Sequence, residues 1–418
     1  DAVQKELRAT KGLTVLIYDQ TCAAEKRRRR KRGLFPDPAK RAFINDLVCE
    51  SCGDCTEQSN CVSVKPLETV FGRKRQIDQS NCNKDFSCVT GFCPSFVTVN
   101  GGKLRKVEKA KADSSGMFGG LPDPQTKTLA EPYGILVTGI GGTGVITIGA
   151  LIGMAAHVEG KGCTTLDFTG LSQKNGAVMS HVRLAPQPED LAAVRIAPGG
   201  ADLLIGCDMI VSAQSNALSR LERGVTRAVI NGDLQPTAAF VVNPDLDFAT
   251  AQMKKGLVDA LGADRLDIID ATGLATALMG DAIFTNPFMM GFAWQKGLLP
   301  LSLAAFDRAI ELNGVAIEAN KEAFKWGRLA AHDPKRVHEA IRSLEIPEPE
   351  EETAEQKQAR RIAFLRDYQD DAWAQRYMRL VDAVAKAEQA KARGMTALAD
   401  AVREGFFKLM SYKDEYEV

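Results

Sequence analysis

The chain has 418 residues, 45% of them hydrophobic, which is enough for two or three domains with apolar cores. Its 53 basic side chains balance 53 acidic ones, so bulk charge gives no pull toward nucleic acid or an anionic membrane. No segment reads as a signal peptide or reaches membrane-spanning length, so the cysteines are expected in a reducing, cytoplasmic setting rather than in a disulfide framework.

Residues 1–20 offer the close of a helix and then one apolar run, Leu13 to Tyr18. A single strand cannot bury itself, so this run is expected to join a sheet whose other strands lie outside the sequence, in a larger protein of which this chain is a part. Lys26 to Arg32 are seven consecutive basic residues. Such a run is ordinarily solvated and mobile; its sharper use is to border a phosphate-bearing cofactor or an acidic electron carrier.

Seven of the ten cysteines then fall between Cys49 and Cys93. They form two groups, C49-x2-C52-x2-C55-x5-C61 and C82-x5-C88-x4-C93, the latter followed by Pro94. Bacterial two-cluster ferredoxins repeat C-x2-C-x2-C-x3-C-P, with the last cysteine of each run ligating the other cluster. Asp85 stands where a middle cysteine would, giving C82-x2-D85-x2-C88. Seven thiolates and one carboxylate suffice for two four-iron clusters if Asp85 binds iron, and for one cluster if it does not. A zinc site from Cys49, Cys52, Cys82 and Cys88 is the competing use of these residues.

Residues 100–132 have the glycine, serine and proline content of a linker. From Tyr133 onward short apolar runs alternate with helical stretches, predicting a parallel sheet covered by helices. Strands are expected at 135–137, 163–166, 203–205, 228–230 and 266–269. Gly139, Gly141, Gly142 and Gly144 complete a G-x-G-x-x-G loop between the first strand and an apolar helix, where helix amides can hold a phosphate. Asp167 ends the next strand, where a dinucleotide-binding fold carries its ribose ligand. The loop therefore admits NAD(P) or FAD, or a tight crossover that holds nothing. Gly170 to His181 reads as a loop at the crevice, with Lys174 and Asn175 as candidate ligand contacts. Asn286 is expected to cap the first turn of a helix, and His157 to be a satisfied side chain of the apolar helix. Cys22, Cys163 and Cys207 read as buried small hydrophobes. After a break near 347–353, Ile362, Leu365, Trp373, Tyr377, Leu380, Val381 and Val384 stripe one face of a long helix.

This order of parts resembles the fused indolepyruvate ferredoxin oxidoreductases of the 2-oxoacid:ferredoxin oxidoreductase superfamily. The resemblance rests on DQTCAAEKRRRRKRG at 19–33, IDQSNCNKDFSCVTGFCPSF at 77–96, EPYGILVTGIGGTGV at 131–145, FTGLSQKNGAVMSHVRL at 168–184 and TNPFMMGFAWQKGLLPLSLAAFDRAIELNG at 285–314. In such enzymes a 2-oxo acid such as indolepyruvate is decarboxylated on thiamine pyrophosphate. Electrons leave singly through iron–sulfur clusters to ferredoxin, and coenzyme A takes the acyl group.

The resemblance implies an α/β fold class: a ferredoxin-like Fe–S module, a Rossmann-like parallel-sheet gamma domain and a helical C-terminal region. Residues 1–35 resemble the end of a thiamine-diphosphate-binding domain, 43–99 the 4Fe–4S module, 133–330 the gamma domain and 331–418 the helical region. Cys49, Cys52, Cys55 and Cys93 would hold one cluster, and Cys61, Cys82, Asp85 and Cys88 the other. The thiamine and magnesium motif is absent, so those groups would sit in a partner domain or subunit, in a dimer of the full assembly. An NAD(P)- or FAD-binding iron–sulfur subunit and a non-catalytic assembly subunit are the alternatives.

Overall fold

The computed structural model describes residues 2–61, 63–69, 72–102, 114–141, 144–169, 176–234, 243, 246–247, 249–344 and 353–411. Gly142, Lys174, Asn175 and most of the break expected at 347–353 lie outside them. The chain divides after Leu344 into two compact units.

The first unit opens with helix α1 (Ala2–Ala9). Leu13 to Tyr18 form no strand among the described residues, and Leu13, Val15, Ile17 and Tyr18 are exposed. Six residues with no neighbouring strand gain no ladder bonds and bury no face. The basic run, expected to be mobile, is instead helix α2 (Ala23–Lys31). Adjacent like charges oppose a helix here, and contacts along the chain offset them. Arg27 Nη1 donates to Asn81 O at 2.5 Å, Arg30 Nη1 donates to Asn83 O at 2.5 Å, and Lys31 pairs with Asp281 at 2.6 Å.

The cysteine segment contains strand β1 (Lys40–Ile44), helix α3 (Asp54–Ser59) and strands β2 (Val64–Thr69), β3 (Gly72–Ile77) and β4 (Phe96–Asn100). β1 pairs antiparallel with β4, and β2 with β3. The β2–β3 hairpin is tied to the following domain. Lys65 Nζ lies 3.2 Å from Asp78 and 3.5 Å from Asp233, and Arg73 donates to Leu246 O at 2.8 Å.

Beyond it, residues 114–132 are not the free linker their composition predicts. Helix α4 (Ser114–Met117) starts a stretch whose Met117, Phe118, Leu121 and Leu129 pack on the main core. Phe118 meets Trp326 edge-on with centroids 5.0 Å apart, and Arg328 donates to Asp123 at 2.8 Å. Glycine and proline serve as turns in a docked segment.

The α/β portion runs β5 (Tyr133–Ile140), α5 (Val145–Val158), β6 (Gly162–Thr169), β7 (Ala177–Ala185), β8 (Leu203–Gly206), α6 (Met209–Ser212), α7 (Ser215–Leu218), β9 (Arg227–Asn231), α8 (Thr250–Leu261) and β10 (Leu266–Ile269). Helices α9 (Ala271–Met279), α10 (Thr285–Gln295), α11 (Leu303–Asn313), α12 (Ile317–His332) and α13 (Pro334–Leu344) complete it. Among the described residues six strands form one sheet, in the order β10-β9-β8-β5-β7-β6. β10, β9, β8 and β5 are parallel, whereas β7 is antiparallel to both β5 and β6. The expected all-parallel sheet is thus mixed. Residues 170–176 are too few for a crossover, so β7 folds back beside β6 and slots against β5.

Strand alternation separates two buried faces. Ile135, Val137, Leu203, Ile205 and Val229 meet α5 and α10–α13, while Leu136, Leu204, Ala228 and Ile230 meet α8. Helix α12 crosses position 330 without a break, and Val337 and Ala340 of α13 join the same core. His157 is exposed on α5, not enclosed in it.

The second unit is helices α14 (Ala354–Tyr368), α15 (Asp371–Lys391) and α16 (Ala397–Met410). Its expected single helix is two, because the Asp370 carboxylate accepts from Trp373 N at 2.7 Å and starts α15 afresh. Leu365, Ala374, Tyr377, Val381 and Met410 make its core, whereas Leu380, predicted in the stripe, is 40% exposed. No helix among the described residues is long and apolar enough to cross a membrane.

Candidate functional site

Between β1 and β4 the interior is sulfur and polar groups more than hydrocarbon. Ile44, Cys49, Cys55 and Val64 are buried, with Cys61, Cys88, Ile77 and Phe96 packed against them. Thr56, Ser63, Arg75, Asn83 and Ser95 are buried in the same segment. A buried aliphatic side chain contributes roughly 1.5–3 kcal/mol, while ordering each residue's backbone costs roughly 1–2 kcal/mol. Hydrocarbon contributes little to ordering this segment, and part of its support comes from the following domain through Lys65–Asp233 and Arg73–Leu246.

Burial pushes the Cys55 thiol up to about 11, and neighbouring Cys49 and Cys93 add to the rise while Thr56 and Arg75 oppose it. Burial pushes Cys88 up to about 12, with Cys61, Cys82, Asp85 and Cys55 adding to it. Cys82 is raised as well, by burial and by Cys61 and Asp85. Cys55 thus neighbours Cys49 and Cys93, and Cys88 neighbours Cys61, Cys82 and Asp85, with Cys55 and Cys88 also felt by each other across the two groups; Cys52 is exposed. Among the described residues no group of three or more His, Cys, Asp or Glu side chains is placed to hold a metal ion. Thiolates with one carboxylate among them are donors of the kind that iron–sulfur centres take.

Helix α2 links this segment to a cleft at the C-terminal ends of the parallel strands, where open α/β sheets take their ligands. The cleft encloses about 650 Å³ between Gly144 and the first turn of α5, Arg28 and Arg32 of α2, and Asn286. A smaller cavity of about 120 Å³, bordered by Arg27, Lys31, Cys207 and Asn231, adjoins it. Gly139 lies within β5, the Gly141 N–H donates to Gly176 O at 2.8 Å, and Gly144 takes φ 92° ahead of α5. The N-terminus of α5, Arg32, and Arg28, which pairs with Glu25 at 3.6 Å in the same lining, make this mouth suited to phosphate.

Asn286 does not cap its helix, since Phe284 holds that position; it lies against Gly144 and is 8% exposed. Asn231 was missed by sequence reasoning. Its amide donates to Cys207 O at 3.1 Å and Thr272 Oγ1 at 2.8 Å and accepts from Ala271 N at 3.1 Å, fixing the cavity wall. The available signal was a polar residue closing the apolar run Ala228-Val229-Ile230.

Other expectations change. Asp167 is exposed on β6, with β7 between it and β5, so it stands two strand spacings, roughly 10 Å, from the glycine strand. That separates it from the ribose position of a dinucleotide fold. Residues 177–181 of the expected crevice loop are strand, and His181 is buried, accepting from Ile196 N at 3.2 Å. Cys207 is buried as expected, Cys163 is half-buried, and Cys22 is exposed.

Residues 134–330 match the family described as pyruvate ferredoxin/flavodoxin oxidoreductase, and 354–418 match a family of unknown function, DUF6537. Residues 134–330 are thus a domain of the 2-oxoacid:ferredoxin oxidoreductase superfamily. It is 28% identical over 208 residues to indolepyruvate oxidoreductase subunit IorB of Thermococcus kodakarensis, covering 49% of this chain and 98% of that one. To the Pyrococcus horikoshii IorB it is 26% identical over 206 residues, with the same coverage, 49% and 98%. Among solved structures, the gamma subunit of a keto/oxoacid ferredoxin oxidoreductase from Geobacter sulfurreducens aligns with 19% identity and a TM-score of 0.34, covering 48% of this chain and 98% of that one.

Proposed function

We propose that this chain is the electron-transfer and coenzyme-A-facing part of a thiamine-dependent 2-oxoacid:ferredoxin oxidoreductase acting on arylpyruvates such as indolepyruvate. The observation that carries the proposal is the joint held by α2: Arg27 and Arg30 grip the second cysteine loop, while Arg28 and Arg32 face the phosphate-suited cleft. Similarity to indolepyruvate oxidoreductase subunits supports the substrate class.

The reaction class balances as 2-oxo acid, coenzyme A and two oxidised one-electron carriers giving acyl-coenzyme A, carbon dioxide, two reduced carriers and a proton. Cys49, Cys52, Cys55 and Cys93 would hold one 4Fe–4S cluster, and Cys61, Cys82, Cys88 and Asp85 the second; the clusters supply one-electron transfer toward ferredoxin. Arg28, Arg32 and the first-turn amides of α5 bind and orient the coenzyme A phosphates. Gly139, Gly141 and Gly144 leave room for that approach; Gly142, Lys174 and Asn175, also expected at the ligand, lie outside the described residues. Thiamine diphosphate and magnesium belong to a partner domain or subunit, in a cytoplasmic assembly that is a dimer of the whole.

Metal and sulfide analysis of anaerobically purified chain tests this. About eight iron and eight acid-labile sulfides are expected, with a paramagnetic signal after dithionite. Stoichiometric zinc without sulfide overturns it.

A further inference from the structure

The two cysteine loops trace the same backbone path. Cys49 is followed two residues on by Ser51 at φ 60° and four on by Gly53 at φ 85°, and Cys55 rides the short helix that begins at Asp54. Cys82 is followed two residues on by Lys84 at φ 54° and four on by Phe86 at φ 59°, and Cys88 rides the 3-10 turn Ser87–Val89. In both loops the first left-handed residue donates its N–H to the leading sulfur: Ser51 to Cys49 Sγ at 3.4 Å and Lys84 to Cys82 Sγ at 3.4 Å. Left-handed backbone at serine, lysine and phenylalanine costs roughly 1–2 kcal/mol each, so the repetition reflects a shared constraint and not chance.

The register is fixed by those matches: Cys49 with Cys82, Cys52 with Asp85, Cys55 with Cys88. Positions 52 and 85 are both exposed at the rim. Ser87 orients the Asp85 carboxylate, its N–H and hydroxyl donating to Oδ1 at 3.3 and 3.1 Å.

Building on the cluster assignment above, we infer that Asp85 takes the place of Cys52 on the second cluster and makes the iron at that corner exchangeable. A carboxylate is a hard ligand in a set of soft thiolates, and this one is open to water. On one-electron oxidation the carboxylate–iron bond breaks, the carboxylate keeps the electron pair, and ferrous iron leaves. The second cluster passes from [4Fe–4S]2+ to [3Fe–4S]+, and the electron goes to the oxidant. The first cluster, closed by Cys52, keeps all its iron.

The test treats the full chain, anaerobically purified, with limiting ferricyanide and a ferrous chelator, followed by iron counting and paramagnetic resonance. The expected result is release of about one iron of eight with a three-iron signal, which Asp85→Cys suppresses. Because the loops are equivalent, Cys52→Asp should give the first cluster the same lability and roughly double the signal. A three-iron signal of equal size in Asp85→Cys overturns the inference, as does a Cys52→Asp protein that loses no additional iron. Should Asp85→Cys fail to accumulate, Asp85→Asn replaces it; about seven iron as isolated supports the inference, and a stable eight overturns it. Absence of labile sulfide from the unaltered chain is a different result, which removes the cluster assignment itself.

Discussion

Gly144 and Asn286 face each other at the mouth of the cleft so closely that a methyl group built on the glycine would lie 2.6 Å from the asparagine amide nitrogen. The glycine also holds φ 92°, so Gly144→Ala combines backbone strain with displacement of Asn286. About 2 kcal/mol of lost stability is expected, together with at least a tenfold weaker affinity for coenzyme A by calorimetry. Asn286→Ala leaves Gly144 in place and unstrained, so it should lower affinity with a smaller change in melting temperature.

The two flanks of α2 should separate by substitution. Arg28→Ala and Arg32→Ala each remove a charged donor from the cleft, worth roughly 1.5–3 kcal/mol, so coenzyme A binding should weaken about 10- to 100-fold and lose part of its salt dependence. Iron content should stay the same. Arg27→Ala and Arg30→Ala should do the reverse, lowering iron per chain because the carbonyls of Asn81 and Asn83 lose their donors. Parallel iron assays and titrations of all four variants check this.

Much of the architecture was legible in the sequence because strong local signals agreed with the tertiary outcome. The apolar runs at 203–205, 228–230 and 266–269 became β8, β9 and β10, and Asp270 caps α9 as a residue after a strand end commonly does. What was lost is information that only pairing supplies. Nothing in the composition of residues 162–185 distinguishes a parallel strand from a hairpin, so the insertion of β7 and the isolation of Asp167 were not visible. Asn286 looked like a cap because its neighbours are helical; the contact with Gly144 spans 142 positions and depends on how α10 docks. The basic run misled for a related reason. Seven cations read as solvated until the partners of three of them, Arg27, Arg30 and Lys31, tens to hundreds of residues away, are brought to them.

Helices α10 and α12 cross at a pair of glycines. A methyl group on Gly291 would fall 2.0 Å from Phe324 O, and one on Gly327 would fall 1.9 Å from Phe288 O. Neither obstacle is a movable side chain. Gly291→Ala and Gly327→Ala are each expected to cost about 3 kcal/mol or more, and the double variant less than their sum, since the first already forces the helices apart. Thermal unfolding of the three variants measures it.

His181 sets an acid limit on stability. Burial lowers its pKa to about 4, with Arg220 and Arg195 adding to the effect, and its Nδ1 accepts the Ile196 N–H. The unfolded chain binds a proton near pH 6.5 while the folded one does not, so this contribution is complete above pH 6.5 and is lost as pH falls toward 4. The change is at most roughly 3 kcal/mol. Denaturant midpoints between pH 7 and 4 should fall, and His181→Gln should flatten that slope.

Lys65 is a single cation shared by two carboxylates from separate layers, Asp78 beside the second cysteine loop and Asp233 just past the end of β9. Burial works against the Asp78 charge, yet Lys65, Ser80 and Asn81 hold its pKa below the usual carboxylate range. The cysteine hairpin is therefore not a bead on a string. Transplanted onto a foreign scaffold it would leave Asp233 behind and keep the lysine, and shortening the hairpin would strand two anions without their counterion. Any rearrangement that moves the hairpin has to carry that triad intact.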